Sequence, residues 1–424
     1  MTQGKNNQKK NIFLWALYNF ANTPITVAMG GLFLAQWVVI DNKLPDIWYG
    51  ATFTLATILL LITSPFLGAW SDKVGERMPF LKWTTYIQAI IGIILGIVAV
   101  SPIQSFPKVI IVLILFFFLQ YFYQISLVFY NTILKMLSKE STLGRISGIT
   151  EVFDNIGWLL GPAILLPFSL GYITLFGIPG RAQVFLPAVA IFILTGLPMI
   201  IWFKERNTIT PSQNVNLRIV YKNTIDGFKA LIQKDKNVTK FLIGFMFISD
   251  ALLTASLYFA IYLDQVFKIS DIQKYIALFL IEITAIPSCY LFGKIADKIG
   301  LRKVLIISCI NLTLVYGLMS ITTSVSFTYV LSAFVGLGYG GFYTTSKAFL
   351  VKISPAKKLG EYFGFFSTFQ KFASIIGPLT WGAITLALKD NGVIKYRVAI
   401  FALSVLMLIG TVILFRVKEN RSQI

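Results

Sequence analysis

Apolar residues run through this chain in long blocks rather than in alternation, and the blocks recur at a spacing set by short polar connections. Twelve such stretches lie between Ile12 and Val417. Each reaches or exceeds about the length, roughly 20 residues, that an α-helix needs to cross about 30 Å of hydrocarbon. The first runs from Ile12 to Ile40, followed by Ile47–Trp70, Phe80–Val100 and Val109–Met136. A fifth opens at Gly144, and the sixth covers Ala182–Phe203. From Lys204 to Lys240 the chain turns polar. The blocks resume at Phe241–Phe267 and Tyr275–Phe292, with four more before Val417. The pattern predicts an all-α polytopic membrane protein with twelve transmembrane helices in two six-helix bundles. The boundaries are 1–204 for the first bundle, 205–237 for a linker and 238–424 for the second. Within the linker, Leu217–Ile232 reads as an amphipathic helix suited to an anionic membrane surface.

The two halves echo one another. "GAWSDKVGER" at Gly68–Arg77 returns as "GKIADKIGLR" at Gly293–Arg302. Gly68, Asp72, Lys73, Gly75 and Arg77 match Gly293, Asp297, Lys298, Gly300 and Arg302 at one offset of 225 residues. A second register, at 216, aligns Gly144, Gly148, Gly161 and Pro162 with Gly360, Gly364, Gly377 and Pro378. A shared register means a duplicated unit, so the bundles are expected to be pseudo-symmetric. In each echo, Gly75 and Gly300 suit a turn with positive φ or close backbone approach. Asp72 and Asp297 suit a helix N-terminus, and Arg77 and Arg302 offer forked donors to a carboxylate or to helix C-terminal carbonyls.

Composition supports the membrane reading, since 56 % of residues are hydrophobic and only 13 % charged, about half the charge of soluble domains. The net charge of +19 invites a nucleic-acid reading, but its distribution argues otherwise. Of 37 Lys and Arg, 27 fall in alternate connections and eight in the others. By the positive-inside rule this puts both termini in the cytoplasm, in an inner or plasma membrane, with no nucleic-acid partner. Cys289 and Cys309 both fall in predicted spans, so no disulfide framework or metal site is expected. The chain has no histidine, which leaves carboxylates for any proton relay.

Polar groups inside spans mark candidate chemistry. Asn19 and Asn22 share a face of the first span, with Pro24 as a kink. Tyr121 and Gln124 belong to a polar cluster in the fourth. Glu151 and Asp154 lie three apart in the fifth, Asp250 near the middle of the seventh, and Glu282 centrally in the eighth. Intramembrane acids are costly and are read as functional by default, with a structural ion pair as the alternative. The 216 register sets Gln370 and Lys371 opposite Asp154 and Asn155, so one half contributes an acid and the other a base at matching depth. Tyr258 and Tyr343 complete a chemically generic set of candidate substrate contacts.

The repeated loop with six-plus-six helices resembles the major facilitator superfamily, whose signature G-x-x-x-D-[RK]-x-G-x-[RK]-[RK] is filled by Gly293–Lys303. Gly68–Arg77 also fits it, Met78 replacing the last basic residue. "WALYNFANT", "FYNTIL", "GRISGI" and "GEYFGFFSTFQKFASIIGPLTWG" resemble the branch that includes fungal vacuolar amino-acid effluxers. The resemblance implies alternating access around a central site, with the echoed loops as gates. The function expected is secondary transport of a small polar solute, an amino acid being one candidate, with a proton or cation as co-substrate. The substrate contacts are then Asn19, Asn22, Tyr121, Gln124, Asp250, Tyr258 and Tyr343; the proton-coupling groups are Glu151, Asp154, Glu282 and Lys371. Membrane lipid is the other expected partner, and a monomer is expected. Uniport, drug or metabolite efflux, and a receptor or lipid-handling role on the same scaffold are the alternatives. An intramembrane enzyme lacks its parts, there being no His, no Cys cluster and no acidic pair with metal-ligand spacing. No nucleotide-binding phosphate loop is present, and no cofactor is expected.

Overall fold

The computed structural model describes residues 2–74, 76–137, 143–205, 217–354 and 359–419. The elements in order are α1 (Thr2–Met29), α2 (Phe33–Gln36) running into a π-helical turn at Trp37–Asp41, α3 (Asp46–Val74), α4 (Met78–Val100), α5 (Ser105–Leu137) and α6 (Leu143–Ser169). A 3₁₀ turn at Arg181–Val184 leads into α7 (Phe185–Trp202). Then come α8 (Leu217–Lys234), α9 (Lys236–Phe267), α10 (Asp271–Ile299), α11 (Leu301–Ile321), α12 (Val325–Ile353), α13 (Leu359–Phe372), α14 (Ile376–Ala387) and α15 (Ile394–Phe415). Eleven segments among the described residues are long and apolar enough to span a membrane. The eleventh span expected from the sequence is broken into α13 and α14, each too short to cross alone. The first expected span, Ile12–Ile40, is likewise interrupted after Met29, at Gly30 and Gly31.

The surface agrees with a hydrocarbon solvent. Trp83, Leu194 and Ile321 are each at least 70 % exposed, among dozens of other exposed large apolar side chains. Water would penalise such coverage far beyond the few hundred Å² of apolar patch that soluble proteins carry. The protein is an all-α polytopic membrane protein.

The chain divides into two compact units, residues 1–44 with 55–223, and residues 45–54 with 224–424. The division falls inside α8 rather than at either end of the polar stretch, and it assigns the start of α3 to the second unit. In the first unit α1 packs on α6 and α7, and α4 on α5. A reciprocal pair fixes α1 to α5: Trp15 Nε1 donates to the Tyr130 carbonyl at 3.2 Å, Tyr130 Oη donates to the Trp15 carbonyl at 3.0 Å, and the rings stack at 4.9 Å. In the second unit α10 packs on α12, and α9 on α15. Small residues set these approaches: a Cβ at Gly336 would lie 2.1 Å from the Ile281 carbonyl oxygen, and one at Gly410 2.8 Å from that of Gly244.

Helix ends follow local chemistry. Ser270 caps α10 in a capping box with Gln273, satisfying donors that have no intrahelical partner. Gly300, at φ 98°, is the single residue between α10 and α11, a conformation that other residues adopt only with strain.

Candidate functional site

Polar side chains converge inside each unit. In the first, α1 carries Asn19, Asn22 and Thr23 against α6. Asn19 Nδ2 donates to the Thr150 carbonyl at 3.3 Å, and the Thr23 hydroxyl donates to Asp154 Oδ1 at 2.7 Å. The contact needs glycine opposite, since a Cβ at Gly157 would sit 2.7 Å from Thr23 Cβ. Asn22 turns inward: Nδ2 donates to the Tyr18 carbonyl at 2.9 Å, while its buried Oδ1 has no partner among the described residues. Tyr121 and Gln124 are drawn to α3, Tyr121 Oη donating to Thr63 Oγ1 and Gln124 Nε2 to Thr57 Oγ1, both at 3.0 Å. Asn19 and Asp154, 135 residues apart in the chain, thus meet on one α1–α6 seam; Tyr121 and Gln124 belong to another.

The second unit is organised around Asp250, whose side chain on α9 is fully buried. Neither carboxyl oxygen reaches a hydrogen-bond partner, although the Gly377 amide at the start of α14 faces it. The surroundings explain how it came to be there. Pro378 has no N–H and its ring crowds the carbonyl four residues back, so the helix breaks at residues 373–375 and α14 begins anew at Ile376. The Ser374 carbonyl released by the proline accepts from Thr54 Oγ1 at 3.5 Å. A Cβ at Gly377 would lie 2.0 Å from Thr254 Oγ1, so only glycine lets this first turn rest on α9.

Aromatic layers flank the acid. On one side Phe245 stacks on Phe342 at 5.4 Å and approaches Phe366 at 4.2 Å, with Tyr343 edge-on at 6.4 Å. On the other, Tyr258 and Trp381 stack at 5.0 Å, nearly parallel. Both also bind the start of α3, Trp381 Nε1 donating to Asp46 Oδ1 at 3.2 Å and Tyr258 Oη to the Asp46 carbonyl at 3.3 Å. Tyr258 is therefore part of a packed layer two turns from Asp250. Glu282 is half-buried on α10, and Lys371 is half-buried on the last turn of α13.

The echoed loops show a device that sequence reasoning missed. In the first, Glu205, just beyond α7, caps α4: its two oxygens accept from the Arg77 and Met78 amides at 2.7 and 2.9 Å. In the second, Glu419, just beyond α15, pairs with Lys352 at 2.5 Å, and its Oε2 lies 4.0 Å from where a Cβ on Gly300 would stand. Arg302 Nη2 donates to the Phe415 carbonyl at the end of α15, at 2.6 Å. The signal was legible as Lys204–Glu205 and Lys418–Glu419, one Lys-Glu pair after the last span of each half. Asp46, Thr254 and Trp381 carried no such signal. Gly293 lies within α10, and Asp297 is exposed near its end. Gly68, Asp72 and Glu151 are placed in helices, but their side chains, like Gly75 altogether, lie outside the described residues.

Residues 145–424 match the sequence profile of the family described as "Vacuole effluxer Atg22 like". The chain is 25 % identical over 434 residues to an uncharacterized MFS-type transporter, YxiO, of Bacillus subtilis, covering 96 % of this chain and 95 % of that protein. It is 27 % identical over 176 residues to autophagy-related protein 22 of Pichia angusta, covering 39 % of this chain and 31 % of that one. A crystal structure of a mutant of the nucleoside transporter NupG superposes with a TM-score of 0.74 at 15 % identity, covering 96 % of this chain and 99 % of the other. That last likeness is one of fold.

Proposed function

The chain belongs to the vacuole effluxer Atg22-like family, within the major facilitator superfamily of transporters, and from that premise we propose that it moves a small polar solute by alternating access, driven by protons. Both termini are cytoplasmic in this reading. Asp250 is the observation that carries it. An ionised carboxylate that deeply buried bears a desolvation cost of several kcal/mol, and the Gly377 amide that faces it is set against that cost without full hydrogen-bond geometry. In this reading Asp250 is the group that carries the proton between the two conformations. A group whose proton affinity differs between two conformations biases their equilibrium by that difference.

The break between α13 and α14 supports the reading. Discontinuous helices place polar backbone at membrane depth only where a cavity or site uses it. The proposed solute contacts are, in the first unit, Asn19, Asn22, Tyr121 and Gln124 and, in the second, each taken within its own unit, Asp250, Tyr258 and Tyr343. Glu151, Asp154, Glu282 and Lys371 are accessory ionisable groups. Gly68, Asp72, Gly75 and Arg77, with Gly293, Asp297, Gly300 and Arg302, are the proposed gates. An amino acid fits the mixed amide, phenol and carboxyl chemistry of this set.

The test is solute-driven proton flux in proteoliposomes across amino acids, sugars and organic acids. Asp250→Asn should abolish proton movement while retaining counterflow of the labelled solute. Asp154→Asn, which also disturbs the Thr23 contact, serves as the comparison. Proton flux undiminished in Asp250→Asn would sink the assignment, and counterflow with no proton movement in the native protein would make it a uniporter.

A further inference from the structure

The connection between α6 and α7 is unlike its counterpart in the second half. From Asn155 to Gly180 the chain carries no charged residue, and residues 172–179 are all exposed. Tyr172, Phe176 and Ile178 are exposed by 78, 60 and 75 %, with Ile173 and Leu175 beside them. The corresponding connection between α14 and α15 is an ordinary polar turn that holds Lys389, Asp390 and Asn391.

The apolar loop is fixed from behind. Gln183, buried in the 3₁₀ turn, accepts from the Leu175 amide at 3.1 Å and donates to the Phe176 and Ile178 carbonyls at 2.5 and 2.8 Å. The amides of Leu170, Gly171 and Ile173 turn back onto the Leu166, Phe168 and Pro167 carbonyls, and Pro179 brings no N–H to satisfy. Irregular backbone is costly away from water unless its polar groups are paired internally. Here one buried side-chain amide serves three of them.

The ends of three spans set the depth of the loop. It joins the span Val152–Ser169 to the span Arg181–Trp202. Gly177 rests against the last residue of a third, Met78–Val100, where a Cβ would lie 2.6 Å from the Val100 carbonyl oxygen. Span ends lie where acyl chains give way to headgroups. Directly after the loop, Arg181 pairs with Asp41, which closes the π-helical turn beyond the interruption of the first span.

We propose that residues 172–178 are a foot inserted into the lipid at the acyl boundary, that Gln183 holds its shape, and that through Arg181 and Asp41 the lipid steadies the end of the first span. Ile173, Leu175, Phe176 and Ile178 enter the hydrocarbon, and the Tyr172 hydroxyl stays among the headgroups. The occupant is lipid rather than another protein, because lipid is the medium at this level and the loop offers no charged group to orient a partner. The inference needs only that α6 and α7 cross the bilayer; it does not rest on the transport reading above.

The experiment places an environment-sensitive fluorophore on Ile178→Cys in a Cys289→Ala background, Cys309 being buried. The full chain is reconstituted in phosphatidylcholine vesicles, with lipid brominated on the upper acyl chain in both leaflets or iodide on both sides, so that the orientation of the protein does not matter. Asp390→Cys, labelled in the same way, is the matched position in the polar connection. The Ile178 probe should emit further to the blue than the Asp390 probe, be quenched by the bromolipid, and be quenched several-fold less by iodide. Gln183→Ala should restore iodide quenching at Ile178 while leaving the Asp390 probe as in the native protein, which separates release of the loop from unfolding. Iodide quenching equal to that at Asp390, with no effect of bromolipid, overturns the proposal. Shielding from both quenchers would mean that protein covers the loop, and overturns it equally. A Gln183→Ala protein with the Ile178 probe still held in lipid overturns the part given to Gln183.

Discussion

Gly377 shows how a single missing carbon can decide a membrane site. The residue has no special dihedral; what it lacks is a Cβ, which would meet Thr254 Oγ1 at 2.0 Å and the Asp250 carbonyl oxygen at 3.0 Å. Gly377→Ala should therefore push α14 off α9 and cost about 1–3 kcal/mol, the usual range for overpacking. Thermal melting in detergent checks this, and Thr254→Ala should recover part of the loss by removing the nearer atom. A double variant no more stable than Gly377→Ala alone would place the strain elsewhere. Gly377 was legible in the sequence as the partner of Gly161 in the 216 register. The consequence was not, since Gly161 meets only ordinary contacts with Pro24, the closest at 3.4 Å, and α6 runs unbroken through Pro162.

At the scale of elements, apolar periodicity gave the helices and local chemistry gave their ends, but the groups that secure those ends come from far away. α4 begins with Pro79 in its first turn and no side-chain cap of its own. Its N-terminal amides are satisfied by Glu205, over 120 residues downstream. A carboxylate at a helix N-terminus gains from both the hydrogen bonds and the positive end of the dipole. Glu205→Ala should then lower stability by about 0.5–2 kcal/mol, as cap removals do, and should speed amide exchange at residues 77–82 before other segments. Exchange rising uniformly instead would show that Glu205 acts through something other than this cap. For α8 the amphipathic pattern was visible in the sequence, but that Phe228 packs on Phe365 and Phe369 of α13, at 5.0 and 6.1 Å, was settled only by the fold.

For the whole molecule, the proposed topology makes a direct prediction. In intact cells a membrane-impermeant maleimide should label Lys268→Cys and Asp390→Cys, in the connections after the seventh and eleventh spans, and spare Lys298→Cys; the reverse pattern would invert the orientation. The sequence by itself determined the class of protein, the number of apolar blocks, the duplication and the family resemblance, because these depend on composition and on periodicities that a chain cannot hide. It marked Asp250 and Asp154 as costly, since a charge inside an apolar block stands out without coordinates. What only the tertiary structure decided was their separate settings: Asp154 accepts a hydrogen bond from the Thr23 hydroxyl, while Asp250 is sealed beside a broken helix with the Gly377 amide facing it. The physical reason is that spacing along a helix fixes which face a residue lies on, whereas its neighbours are chosen by the close approach of other helices. Those approaches turn on glycines, prolines and distant caps whose partners carry no mark in the linear pattern.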